Sequence, residues 1–277
     1  MLESRLLALG AILLWASLAV LGVRLAHLPP LWLTGVALLI GSVVALPLSR
    51  FDFSQFRVPP RTLALGVYGL FGFHFLLFMA LRHAPPVQAN LVNYLWPLGM
   101  VVLAPVFLPG STLGPRQVLA ALLGFAGAAL AITGGQSVSG GLAWGYLPAL
   151  ASAFVWASYS LLTQRVPTFS TPAIGLFALV SGGLSLLCHA WLEPAAQVRS
   201  GDWALLLAMG LGPLGAAFYL WDAALKRGNA QQIGLLSFLT PLLSTLWLLG
   251  DRGQGPSLPI AVSAALIIGA AWLGRAR

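Results

Sequence analysis

Charge is what this sequence has least of. Aspartate, glutamate, lysine and arginine together make up 7% of its 277 residues, where a soluble domain carries roughly a quarter. So few charges cannot give water a polar shell, and lipid must be the solvent for most of the surface. Acids are scarcer than bases, 6 against 14. The net charge of +8 nevertheless forms no basic stripe for phosphates, which excludes nucleic acid as a partner. One cysteine, Cys188 in an apolar run, excludes a disulfide framework and a cysteine-based metal site. There is no nucleotide-binding loop, no HExxH, and no GxSxG followed by triad partners. No enzyme, catalytic residue, metal or cofactor is therefore expected.

What is abundant is apolar sequence, 59% of the chain. It falls into runs at roughly 4–25, 31–49, 61–82, 86–108, 116–135, 141–164, 171–192, 203–226, 231–250 and 257–274. Each is near the ~20 residues that cross a ~30 Å hydrocarbon core. Leu28-Pro29-Pro30, Val58-Pro59-Pro60, Ala84-Pro85-Pro86 and Leu108-Pro109-Gly110 punctuate them, and the Gly-rich patch from Gly134-Gly135 to Gly140-Gly141 reads as a short connection between repeats. The first run has no small-residue cleavage site followed by soluble sequence, and reads as a retained helix. The expected fold is an all-α integral membrane protein of about ten transmembrane helices.

Orientation follows from counting. With the N-terminus in the cytoplasm, the inner side holds Arg5, Arg50, Arg57, Arg61, Arg116, Arg165, Lys226, Arg227, Arg275 and Arg277, and the outer side Arg24, Arg82, Arg199 and Arg252. That bias, 10 against 4, puts both termini in the cytoplasm.

The halves repeat. A shift of 141 residues lays Trp15-Ala16-Ser17 on Trp156-Ala157-Ser158, Arg24 on Arg165, and Gly41 on Gly182. A shift of 144 lays Ala80-Leu81-Arg82 on Ala224-Leu225-Lys226, and Pro97-Leu98 on Pro241-Leu242. The expected units are residues 1–137 and 138–277, with five helices each. An odd number of crossings makes the second unit enter from the opposite side, and the site of such inverted repeats lies at the midplane between them.

Residues near that depth are the candidates. Pro97 and Pro241 each break a helix about halfway and free the carbonyl four residues earlier, at Asn93 and Ser237. They read as hinges or a cavity wall, against the simpler reading of packing kinks. His74 sits mid-membrane in the third helix, as a proton-active or substrate-facing group or as a satisfied interhelical histidine. Trp15, Trp96 and Trp156 lie away from the interfacial belt, with Tyr94, Ser17, Ser158, Tyr159 and Thr240 close in depth. Several aromatic walls with few charges suit a flat, weakly polar substrate, and core filling is the alternative. Asp222 alone among the acids lies within a helix, one turn before Lys226, a spacing that suits a local ion pair. No carboxylate presents itself at the midplane, which favours a facilitator, while His74 keeps antiport open.

The stretch Ala84-Pro85-Pro86-Val87-Gln88-Ala89 through Asn93-Tyr94-Leu95-Trp96-Pro97, with the repeated Trp-Ala-Ser, resembles the drug/metabolite transporter superfamily, in its ten-helix EamA-type branch. Within that branch it is similar to the aromatic amino acid exporter group. The resemblance implies a multi-pass protein of the bacterial inner membrane, a monomer or weak homodimer. It would export aromatic or other small neutral hydrophobic amino acids by alternating access through a central cavity. By matching position it places Trp96, Pro97, Tyr94, His74, Trp156 and Ser237 around the substrate; the residues' own reading adds Trp15 and Asn93. Phe73, Phe75 and Phe78 stand where that group often carries tyrosines. Another flat metabolite or drug as cargo, or a membrane assembly protein that moves nothing, are the alternative readings.

Overall fold

The computed structural model describes residues 2–137 and 141–274. Among them there is no strand, and ten apolar helices run in succession. They are α1 (Leu2–Arg24), α2 (Pro30–Leu48), α3 (Pro60–His83), α4 (Pro86–Phe107), α5 (Pro115–Thr133), α6 (Tyr146–Leu162), α7 (Thr171–Leu192), α8 (Asp202–Arg227), α9 (Ala230–Asp251) and α10 (Leu258–Leu273). Six of them carry proline in the first two positions (α2, α3, α4, α5, α7 and α10), where its missing N–H costs nothing. Apolar side chains such as Leu13, Leu119, Leu147, Leu179 and Ile268 stand exposed along the helices, as a lipid-facing surface requires.

Helix pairing obeys an exchange of halves. The contacts α2 with α7, α5 with α10, and α4 with α9 each join a helix to its own counterpart. The contact of α1 with α8 is matched by α6 with α3, and that of α4 with α6 by α9 with α1. This is a two-repeat fold. Where α2 meets α7, a Cβ on Gly35 would lie 3.1 Å from the Gly182 carbonyl, and one on Gly182 2.9 Å from that of Gly35. In lipid, where apolar surface gains little from self-association, such close backbone approach supplies the packing.

The sixth helix starts later than the apolar run suggested, at Tyr146 rather than 141. Residues 141–145 instead lie as a loop against the end of α3. The Gly145 amide donates to the His83 carbonyl at 3.2 Å, and Trp144 packs edge-on to the His83 ring. Any Cβ at Gly145 would come within 2.5 Å of the Ala80 carbonyl, so the chain can turn there only on glycine. Gly140, the 137/138 unit boundary, and the Arg275 and Arg277 of the charge count lie at or outside the limits of the described residues.

Four helices are broken in mid-course: α1 at Ser17, α2 at Val43 and Val44, α4 at Tyr94 and Leu95, and α9 at Ser237 and Phe238. The α4 and α9 breaks precede Pro97 and Pro241 and fall within one residue of repeat-equivalent positions. The carbonyl that Pro241 frees at Ser237 is recovered by the Thr240 amide, at 3.0 Å in a tightened turn. A second matched pair of irregularities was not evident in the sequence. Helix α3 widens to a π-turn at Tyr68–Gly72, and α8 does so at Gly212–Ala216, 144 residues later.

The described ends lie on one face, where Arg5 and Gly274 line one hollow with Gln232. On the other, three second-half carboxylates hold first-half groups. Glu193, whose side chain is fully buried, accepts from the Leu31 and Trp32 amides at the start of α2 and from Arg82 and His189. His27 pairs with Asp202 at 2.9 Å, and Arg24 pairs with Asp251.

Candidate functional site

The ten tryptophans divide by position. Trp144, Trp191, Trp203, Trp247 and Trp272 are exposed near helix ends and Trp32 is half-buried, whereas Trp15, Trp96, Trp156 and Trp221 are buried. These four indoles, from α1, α4, α6 and α8, form a tetrad in which all six pairs touch. Ring centroids lie between 5.0 Å (Trp15 with Trp221) and 6.5 Å (Trp15 with Trp96). Phe218 packs on Trp15 and Trp156 at 6.0 and 5.8 Å, and Phe73 on Trp156 at 5.3 Å. Most of these contacts are edge-to-face or tilted, the arrangement that the ring quadrupole favours.

The tetrad lies where the halves exchange. Trp15 and Trp156 are repeat-equivalent under the 141 shift, and their rings are 5.6 Å apart. His74 and Phe218 are equivalent under the 144 shift, and their rings meet edge-on at 6.2 Å. Equivalent residues can touch only close to the axis that relates the halves.

Irregular backbone positions these rings. Trp15 stands two residues before the α1 break, and Trp96 opens the second segment of α4 directly after its break. His74 and Phe218 each follow two residues after a π-turn. His74 reaches back onto the π-turn: its Nδ1 donates to the Leu70 carbonyl at 2.6 Å. With Nδ1 as donor, a neutral ring keeps Nε2 as an acceptor. At the periphery, Trp221 Nε1 donates to Ser160 Oγ at 3.1 Å. The Tyr68 hydroxyl donates to Ser158 Oγ at 2.8 Å, since Ser158 spends its own proton on the Phe154 carbonyl.

Of the residues singled out in the sequence, Trp15, Trp96, Trp156 and His74 are brought together in this cluster. Tyr94 sits half-buried at the α4 break and makes none of the cluster's ring contacts. Asn93 is buried against α6, where its Oδ1 accepts from Ser152 Oγ at 2.9 Å. Ser237 is fully buried and its hydroxyl donates to Gly234 of its own helix at 2.6 Å. Pro97 and Pro241 are buried just past the two breaks. Trp221 and Phe218 were missed. The signal was the 144 shift itself, which lays Phe218 on His74, and the position of Trp221 one turn further along the same helix.

A polar cluster lies beyond the rings on α8. Lys226 donates to Asp222 Oδ2 at 2.6 Å, the ion pair the spacing suggested, and Thr171 Oγ1 donates to the same oxygen at 2.7 Å. Among the described residues no group of three or more His, Cys, Asp or Glu is placed to hold a metal ion.

An EamA-like transporter family model matches residues 4–133 and 143–274, once in each half. An aromatic amino acid exporter, YddG, of Ancylobacter novellus is 40% identical over 275 residues, 97% of this chain and 96% of the relative. A probable amino-acid metabolite efflux pump of Salmonella typhimurium is 29% identical over 92% of this chain and 90% of its own length. A solved crystal structure superposes with a TM-score of 0.90 at 39% identity, covering 98% of this chain and 94% of that one. The relatives are named as exporters and not as enzymes; together with eight helices long and apolar enough to cross a membrane and two shorter apolar ones, they make this chain a multi-pass inner-membrane protein. With a family match in both halves and a symmetric fold to carry it, the chain belongs to the EamA-like transporter family.

Proposed function

We propose that this exporter moves aromatic and other neutral hydrophobic amino acids out of the cytoplasm by alternating access, through the axis where the four indoles meet. The observation that carries the reading is the tetrad, with repeat-equivalent rings in contact at the centre of a two-repeat transporter. A flat cargo enters by replacing ring–ring contacts with ring–cargo contacts of the same kind. Each aromatic pair is worth about 0.5–1.5 kcal/mol beyond its buried area, so the exchange is nearly balanced and release is as easy as capture. In this scheme Trp15, Trp96 and Trp156 stack on the side chain of the cargo. His74 Nε2 and Tyr94 meet its polar end, with Asn93 and Ser237 freed as the helices bend. Pro97 and Pro241 are the hinges.

The units that move are residues 1–137 and 138–277. The face bearing both termini is cytoplasmic, as the ten-to-four distribution of basic residues favours. The name of the Ancylobacter relative supports the aromatic cargo. The test is efflux of labelled phenylalanine from proteoliposomes. Saturable efflux that tryptophan and tyrosine compete for is the expected result, and efflux equal to that of protein-free vesicles overturns the reading. Competition by nucleobases and not by amino acids reassigns the cargo.

A further inference from the structure

The two most deeply buried carboxylates of the chain are treated differently by the fold. Glu193 has every oxygen occupied by amide, arginine or histidine donors. Asp222, only 3% exposed, takes both of its hydrogen bonds at Oδ2, while Oδ1 is buried without a partner. An orphaned carboxylate oxygen is among the costliest groups to bury, and neutralising it by a proton relieves that cost. Lys226 is prepared for the change. Its ammonium also donates to the Phe169 carbonyl at 2.8 Å and lies 3.7 Å from the centre of the Phe169 ring, so it stays held when Asp222 becomes neutral.

Position links this carboxyl to the rings. The α8 stretch from Ala217 to Arg227 carries Phe218 and Trp221 on the cluster and then Asp222, one turn beyond Phe218. It begins at the π-turn Gly212–Ala216, a place where a helix can change register. Thr171, its partner across the gap, opens α7. Any cargo that displaces Phe218 and Trp221 therefore shifts Asp222 against Thr171. The charged and titratable groups around Asp222 are Lys226 and Arg227 of its own helix and Tyr159 of α6, together with Glu3 of α1, held by Arg227 at 3.3 Å. From α7 it meets the uncharged Thr171 hydroxyl.

We propose that Asp222 is a proton-binding site that couples export to proton entry. Its carboxyl takes a proton from one side of the membrane and releases it to the other as cargo moves the opposite way. The driving force then is the proton gradient, in place of the cargo's own. The proposal relies on the aromatic amino acid reading only for the cargo used to test it.

Proteoliposomes are prepared with the membrane potential clamped, phenylalanine equal on both sides, and the interior one pH unit more acid. One proton exchanged per cargo supports accumulation of labelled phenylalanine by about tenfold at that gradient, whichever way the protein is inserted. Wild type is expected to accumulate it, and Asp222→Asn only to equilibrate it. Asp222→Asn combined with Lys226→Gln, which strands no cation, is expected to do the same. Equilibration without accumulation by wild type, or accumulation by either variant, overturns the proposal. If wild type does not move phenylalanine at all, the cargo reading fails and the proton site is decided separately. Infrared pH titration of the purified protein should then show a protonated-carboxyl band in wild type that Asp222→Asn lacks, and identical spectra overturn it.

Discussion

At the scale of the residue, buried and peripheral tryptophans of one chain have opposite structural duties. Trp221 is 1% exposed and touches three other indoles, so its loss opens a cavity that packed rings cannot refill. Trp221→Ala is expected to destabilise by about 3–5 kcal/mol, and Trp247→Ala, on the lipid-facing surface, by less than about 1 kcal/mol. Thermal unfolding in one detergent, scored against wild type, checks the contrast. His74 Nδ1 donates to the Leu70 carbonyl, one turn back within the π-turn. His74→Ala removes that buried hydrogen bond and the ring's packing on Phe73, Phe78 and Phe218, at a cost of about 1–3 kcal/mol. His74→Asn, with a donor too short to reach back one turn, should cost a similar amount, whereas a loss of transport with unchanged stability would assign the ring to the cargo alone. Outside the membrane, Asp52 caps the turn at Phe53–Phe56, and hydrogen bonds from the Ser54 hydroxyl and amide hold its carboxyl below the usual carboxylate range. A lowered folded-state pKa means a contribution that is full above the ordinary carboxylate pKa and fades as the pH falls through the lowered value. The Ser54 amide protection factor should fall in that same acid window, and Asp52→Asn should remove the pH dependence.

At the scale of the element, the irregular features are the breaks. The interruptions of α4 and α9 sit directly before Pro97 and Pro241, and the one in α1 lies beside Trp15. If the first two are hinges, Pro97→Ala or Pro241→Ala should preserve folding yet slow phenylalanine counterflow by about tenfold, since stiffening a hinge need add only ~1.4 kcal/mol to the barrier. Counterflow at the wild-type rate would reduce both prolines to static kinks. The proline pair was legible in the sequence because proline advertises the missing hydrogen bond. The π-turns were not, because nothing in Tyr68-Gly69-Leu70-Phe71-Gly72 separates a wide turn from an ordinary one. They arise from tertiary packing, with the Tyr159 ring lying against the Gly69 backbone, and the matching turn at Gly212–Ala216 is evident only in the fold. For the same reason His74 could be placed at mid-depth but not assigned its bond to Leu70. Likewise Asp222 could be paired with Lys226 from spacing, while the orphaned Oδ1 depended on how α7 approaches.

For the whole molecule, the apolar runs, the two offsets and the repeated Trp-Ala-Ser were enough to outline ten helices in two related halves. Which helices meet, and therefore which tryptophans meet, required the exchange-symmetric packing of α1 with α8 and α6 with α3. The face away from the chain ends is joined half to half by Glu193, Asp202 and Asp251. If that face opens during transport, linking it covalently stops the cycle. Arg24→Cys with Asp251→Cys, in a Cys188→Ser background, should lose counterflow on oxidation and regain it on reduction. Retention of counterflow after complete oxidation would show that α1 and α9 do not separate there. The most direct measurement is counterflow of labelled phenylalanine in proteoliposomes of wild type, Trp96→Ala and Trp156→Ala, each normalised to folded protein. Saturable exchange in wild type, competed by tryptophan and tyrosine but not by arginine or glutamate and reduced at least about tenfold in both variants, is the expected result. Wild-type exchange no faster than protein-free vesicles, or variants that exchange as fast as wild type, would contradict an aromatic amino acid path through the indole tetrad.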